Sequence, residues 1–168
     1  MKTKKLTLMA VLSAIALTIF IAEAQIPPIV PIPGIKLGLA NIVTLVVMAF
    51  LGRKEAGLVL LVRIILGSVF AGSASALIFS IAGGVLAYLV MAGLIGLFPE
   101  RLMWVVSIFG AIAHNAGQLV AAIFVTKTVG LLYYGPALLA AAIVTGAFTG
   151  IAAMYLLRAV RKLHLGGK

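Results

Sequence analysis

The stretch GAIAHNAGQLV, residues 110–120, sets His114, Asn115 and Gln118 inside an otherwise apolar run. Residues three and four apart share a side of a helix, so these three groups cluster on one face. A second apolar run carries Arg63, and Glu23, Lys36 and Asn41 stand at the ends of two others. Ionisable groups inside a membrane span are costly and turn toward the interior of a bundle. Their types suit the wall of a polar pocket: Lys36 and Arg63 to attract an anionic group, Asn41, Asn115, Gln118 and His114 to orient it, and Glu23 to hold Lys36 or Arg63 in place. The plainer alternatives are interhelical hydrogen bonding for the 114–118 group, a structural Glu23–Arg63 pair, or snorkelling of Arg63 to an interface. Lys36 reads either as a rim group of the pocket or as an interface anchor.

Several chemistries are excluded. The chain has three acidic residues, Glu23, Glu55 and Glu100, and no aspartate. Condensation of isoprenoid diphosphates normally needs carboxylates to hold Mg²⁺, so the chain is not expected to be an enzyme. One histidine with no clustered acid or cysteine makes no metal site, and no cofactor is expected. Cysteine is absent, which removes disulfides and thiolate chemistry. The sequence lacks a G-x-x-x-x-G-K-[ST] loop for ATP and a base at nucleophile spacing from any serine or threonine.

The elements that must position these groups follow from composition. The 168 residues are 64% hydrophobic and 10% charged, with a mean hydropathy of +1.31. A soluble domain of this size needs more polar surface, so the chain reads as one integral membrane domain, 1–168. Apolar segments run roughly 6–26, 37–51, 57–71, 74–98, 102–126 and 136–158. The second and third fall short of the ~20 residues of an ideal span, and are expected to extend, tilt or form a re-entrant pair. PPIVPIPGI, 27–35, breaks any helix and is read as an outer loop. The basic start, apolar core and AEA before Gln25 imitate a secretory signal, but the core is long and further spans follow, so a retained first span is expected.

With the N-terminus inside, Lys2, Lys4, Lys5, Arg53, Lys54, Arg101, Arg158, Arg161, Lys162 and Lys168 face the cytoplasm, and only Lys36 and Lys127 face outward. This positive-inside bias gives an all-α membrane protein: six transmembrane helices in one compact bundle, both termini cytoplasmic. The net charge of +10 then reflects topology and anionic lipid, with no nucleic-acid partner. His164 lies in the basic tail and is read as solvated. Small residues four apart (Ala10/Ala14, Ser80/Gly84, Gly146/Gly150) allow close helix approach, within the chain or, for Ala10 and Ala14, against a partner helix.

PGIKLGLANIVTL (33–45), GRKEAGLVLLVRIILGS (52–68) and GAIAHNAGQL (110–119) together resemble the Gx transporter family, over roughly 6–160. Its members are often named heptaprenyl diphosphate synthase component I, and it is similar to the substrate-binding S components of energy-coupling factor transporters. The resemblance implies a multi-pass protein of the bacterial cytoplasmic membrane. It implies an outward pocket enclosed by 27–36 and the outer halves of segments two, five and six. Its solute would be a small, anionic micronutrient or an isoprenoid or quinone precursor. It also implies a transmembrane coupling protein, touched by Ala10 and Ala14, and two cytoplasmic ATPases that hydrolyse the ATP. The expected function is thus the solute-binding subunit of an ATP-driven importer. The alternatives are a membrane accessory subunit of a heptaprenyl diphosphate synthase and a stand-alone secondary carrier.

Overall fold

A computed structural model describes residues 2–26, 36–72 and 74–165, with side chains for 3–26, 36–72 and 74–162. The proline-rich loop 27–35 and the side chain of His164 lie outside the described residues. The described residues form six α-helices: α1 (Lys2–Glu23), α2 (Asn41–Phe50), α3 (Arg53–Ala71), α4 (Ala74–Leu94), α5 (Met103–Thr126) and α6 (Gly135–Leu165). Short 3-10 turns at Glu100–Leu102 and Val129–Tyr134 precede α5 and α6. The regions of α1, α4, α5 and α6 are long and apolar enough to cross a membrane. Large apolar side chains such as Phe70, Val120, Phe124, Val144 and Phe148 are exposed on the outside of the bundle. That surface is stable against lipid and not against water.

The two short apolar segments divide unequally. α3 absorbs the charged GRKEA turn and reaches 19 residues. α2 shrinks to 10 residues, about 15 Å of helix at ~1.5 Å per residue. It compensates by position. It touches each of the other five helices, and Val43, Leu45, Val46 and Val47 are fully buried. Residues 36–40 lead into it as non-helical backbone.

Two ion pairs show which ends meet. Lys5 of α1 pairs with Glu55 at the start of α3. Arg161 near the end of α6 pairs with Glu100 just before α5, at 2.6 Å. Tyr88 of α4 donates to the carbonyl of Arg53 (2.9 Å), which joins the two pairs into one end of the bundle. Lys4, Arg53, Lys54, Arg101, Arg158 and Lys162 are all exposed at that end. Lys36 and Lys127 lie at the other.

Close helix approach is internal at two of the three small-residue pairs. A Cβ on Gly150 would stand 2.4 Å from the Trp104 Cα, and one on Gly146 would stand 2.6 Å from the Ile108 Cα, so α5 and α6 pack backbone to backbone. Ser107 and Thr149 hydrogen-bond across the same contact at 2.9 Å. Gly84 leaves room for the Arg63 guanidinium. Ala10 and Ala14 instead line an apolar groove of about 410 Å³ between α1 and α3. Gly150→Ala should lower thermal stability in detergent by about 1–3 kcal/mol, because α6 must shift off α5. Gly93→Ala, whose added methyl meets nothing within 4 Å, should be neutral or slightly stabilising.

Candidate functional site

At the end opposite the basic rim, α1, the 36–40 segment, α3, α4 and α5 converge on a buried polar cluster. A small void there is lined by Phe20, Glu23, Lys36, Gly38, Arg63, Ser80, His114 and Gln118, with about 10 Å³ of room for the centre of a water molecule. Glu23, Arg63, Ser80, His114 and Gln118 are all buried. Each arrives for a local reason. Glu23 is the last residue of α1, one turn beyond Phe20 on the same face. Arg63 lies in mid-α3 on the face that carries Val59, Leu60 and Gly67. His114 and Gln118, four apart on α5, face α4 across Gly83, where a Cβ would clash with both.

The Glu23 carboxylate accepts the backbone N–H of Gly38 on one oxygen and that of Leu39 on the other (3.1 Å). Gln118 Oε1 accepts the backbone N–H of Lys36 at 3.1 Å. The segment is thereby pinned across the cluster. Gly38 has φ +79°, a region that favours glycine, and a Cβ there would press on the His114 ring at 2.9 Å and on Asn41 at 3.0 Å. The Lys36 ammonium lies 3.4 Å from the centre of the Phe20 ring, a cation–π contact.

Several sequence expectations change here. Glu23 makes no contact ion pair with Lys36 or Arg63; it lies in the same void as both and gives its oxygens to backbone amides, because non-helical backbone buried in the bundle must find acceptors. Asn115 is not part of the cluster. It points to α6, donates to the Leu138 carbonyl at 2.9 Å, and lines a separate apolar pocket of about 190 Å³. None of the residues lining the void comes from α6. Lys36, Arg63, His114, Gln118 and Glu23 do come together, and Asn41 lies against them beside Gly38. Phe20 and Ser80 were missed as site residues. Phe20 stands three residues from Glu23, a spacing that places it on the same helical face, whereas Ser80 carries no signal beyond its small size.

Some of these groups are satisfied and some are not. Among the described residues, Arg63 Nε and both amide atoms of Asn41 have no hydrogen-bond partner, and the His114 ring lies against the backbone at Gly83. The chemistry available is hydrogen bonding and charge, and no group of three or more metal-ligating side chains occurs among the described residues.

A family model described as Heptaprenyl diphosphate synthase component I matches residues 12–156. No curated protein and no solved structure matches the chain. The match corrects the expected function. It names a synthase component, and nothing ties the chain to energy-coupling factor importers, so the importer reading falls.

The clasp itself is testable. In Glu23→Gln, one of the two amides should face an N–H instead of an oxygen, at a cost of about 1–3 kcal/mol. Amide hydrogen exchange at Gly38 and Leu39 should accelerate while exchange in α5 stays slow. Unchanged protection at both amides would refute the clasp.

Proposed function

Since the chain belongs to the heptaprenyl diphosphate synthase component I family, we propose that it is the membrane-embedded, non-catalytic subunit of such a synthase. The match across 12–156 carries the reading. Its non-catalytic character rests on the carboxylates. Glu55 is paired with Lys5, Glu100 with Arg161, and Glu23 is bound to backbone at the far end of α1. Glu23 stands 18 positions beyond Lys5 on one helix, about 27 Å at ~1.5 Å per residue, so it cannot share a metal ion with Glu55. The Mg²⁺-dependent condensation then falls to a soluble subunit that carries the acids this chain lacks.

In this reading all six helices lie in the cytoplasmic membrane, with both termini and the basic rim on the cytoplasmic side. The rim presents Lys4, Arg53, Lys54, Arg101, Arg158 and Lys162 to solvent. Only two of the basic groups at that end, Lys5 and Arg161, are neutralised by an acid of this chain among the described residues. An array of free cations at the bilayer surface attracts an acidic protein face and steers it to the membrane, where a long apolar product belongs. Anionic lipid is the competing partner for the same charges.

A soluble prenyl diphosphate synthase co-expressed with the full chain should co-purify with it, and its activity should change when the chain is present. The triple reversal Lys54→Glu, Arg101→Glu, Lys162→Glu should weaken association by tenfold or more, about 1.4 kcal/mol. High salt should weaken the wild-type association in the same direction. A synthase that stays unbound and equally active with and without the chain would overturn the reading.

A further inference from the structure

We propose that the buried cluster beneath Lys36 is a binding site for a singly charged oxyanion, a carboxylate or a phosphodiester, with Arg63 as its charge partner. The inference goes beyond the association with a synthase, which concerns the other end of the bundle. Arg63 is 3% exposed, and no carboxylate lies within 4 Å of its guanidinium among the described residues. An uncompensated buried charge is strongly unfavourable, and inside a membrane span it marks a site by default. Glu23 lines the same void but stands outside contact distance of the guanidinium, and its single charge is shared with Lys36.

The remaining groups agree in sign. Lys36 and Arg63 bring two positive charges against the single negative charge of Glu23, which leaves room for one more. Arg63 Nε is an unused donor, His114 lines the same void, and the Asn41 amide, beside Gly38 and His114, is also without a partner. A water in the void could bond to some of these atoms, but it would leave the charge unmatched. The void has room for about one water centre, so the oxyanion enters as Lys36 swings off Phe20. Lys36 is free to do so, being only partly buried and held at its ammonium by a ring and not by a carboxylate.

The same chemistry is offered by a free anion and by an anionic lipid head group, and the test separates them. The full ¹⁵N-labelled chain is placed in phosphatidylcholine nanodiscs and titrated with acetate and with inorganic phosphate. In a second arm, phosphatidylglycerol is added to the discs. The Arg63 Nε–H resonance, identified by its loss in Arg63→Gln, is followed with the His114 ring signals. A saturable shift in the first arm supports a site filled from water, and a shift confined to the second supports a site filled by lipid. In either case the His114 signals should respond at least tenfold more weakly in Arg63→Gln, whereas Lys127→Gln, outside the cluster at the same end, should behave as wild type. No shift in either arm, or an undiminished response in Arg63→Gln, overturns the proposal. Such a failure leaves the synthase association standing, because that is read by synthase binding and activity.

Discussion

The two hydrogen bonds from the Gly38 and Leu39 amides to the Glu23 carboxylate are the constraint on which the rest of this end of the bundle depends. Residues 36–40 lie inside the bundle as non-helical backbone. In water its free N–H groups would be solvated; at membrane depth they need fixed acceptors. A carboxylate with two oxygens at the last residue of α1 meets two of them, and Gln118 meets a third at Lys36. The placement of the cluster follows. Because the segment is tied to α1 on one side and α5 on the other, Lys36 lies over Phe20 and Gly38 fits against the His114 ring.

The same segment explains why α2 is short. A helix that begins only at Asn41, after residues 36–40 have entered the bundle, runs 10 residues to Phe50, and at Gly52, where φ is +114°, the chain turns into α3. So short a helix cannot face lipid along a full span. It is stable because its neighbours cover it on every side: Val43, Leu45, Val46 and Val47 are wholly buried, and even Thr44 is nearly so. The long helices are therefore arranged around a central short one, and the polar cluster sits where its entrance leaves the end of the bundle unfilled by helix.

Much of this was legible in the sequence. Apolar runs bounded by glycine, proline and charge located the helices, because burial of apolar side chains dominates helix placement in a membrane. Charge alone grouped the basic residues at one end, and the ion pairs of Lys5 and Arg161 bear this out. Side-chain direction was less legible. Asn115 and Gln118 are three apart and both buried, yet one turns to α6 and the other to Lys36. Three residues along a helix leave an angular offset of about 60°, enough to separate two neighbouring helices. The partner of Glu23 was also hidden, since a backbone amide leaves no trace in residue identity. Function was the least legible: the motifs around Lys36, Arg63 and His114 record a polar site within a membrane bundle, and such a site fits more than one activity on the same architecture.

The two ends of the molecule treat charge in opposite ways, and the contrast gives Arg63 its weight. At the basic rim the exposed cations sit in high dielectric, where an unmatched charge costs little and an ion pair adds little. Glu55 and Glu100 there each meet a cation, although solvent would have sufficed. At the other end, where desolvation makes pairing matter most, the one carboxylate is hydrogen-bonded to backbone amides and faces two cations, Lys36 and Arg63, with neither in contact. A bundle optimised only for stability would place an apolar side chain at position 63, or a second acid beside Glu23. Keeping two cations beside one acid gives up stability, and a charged partner supplied from outside the chain recovers it.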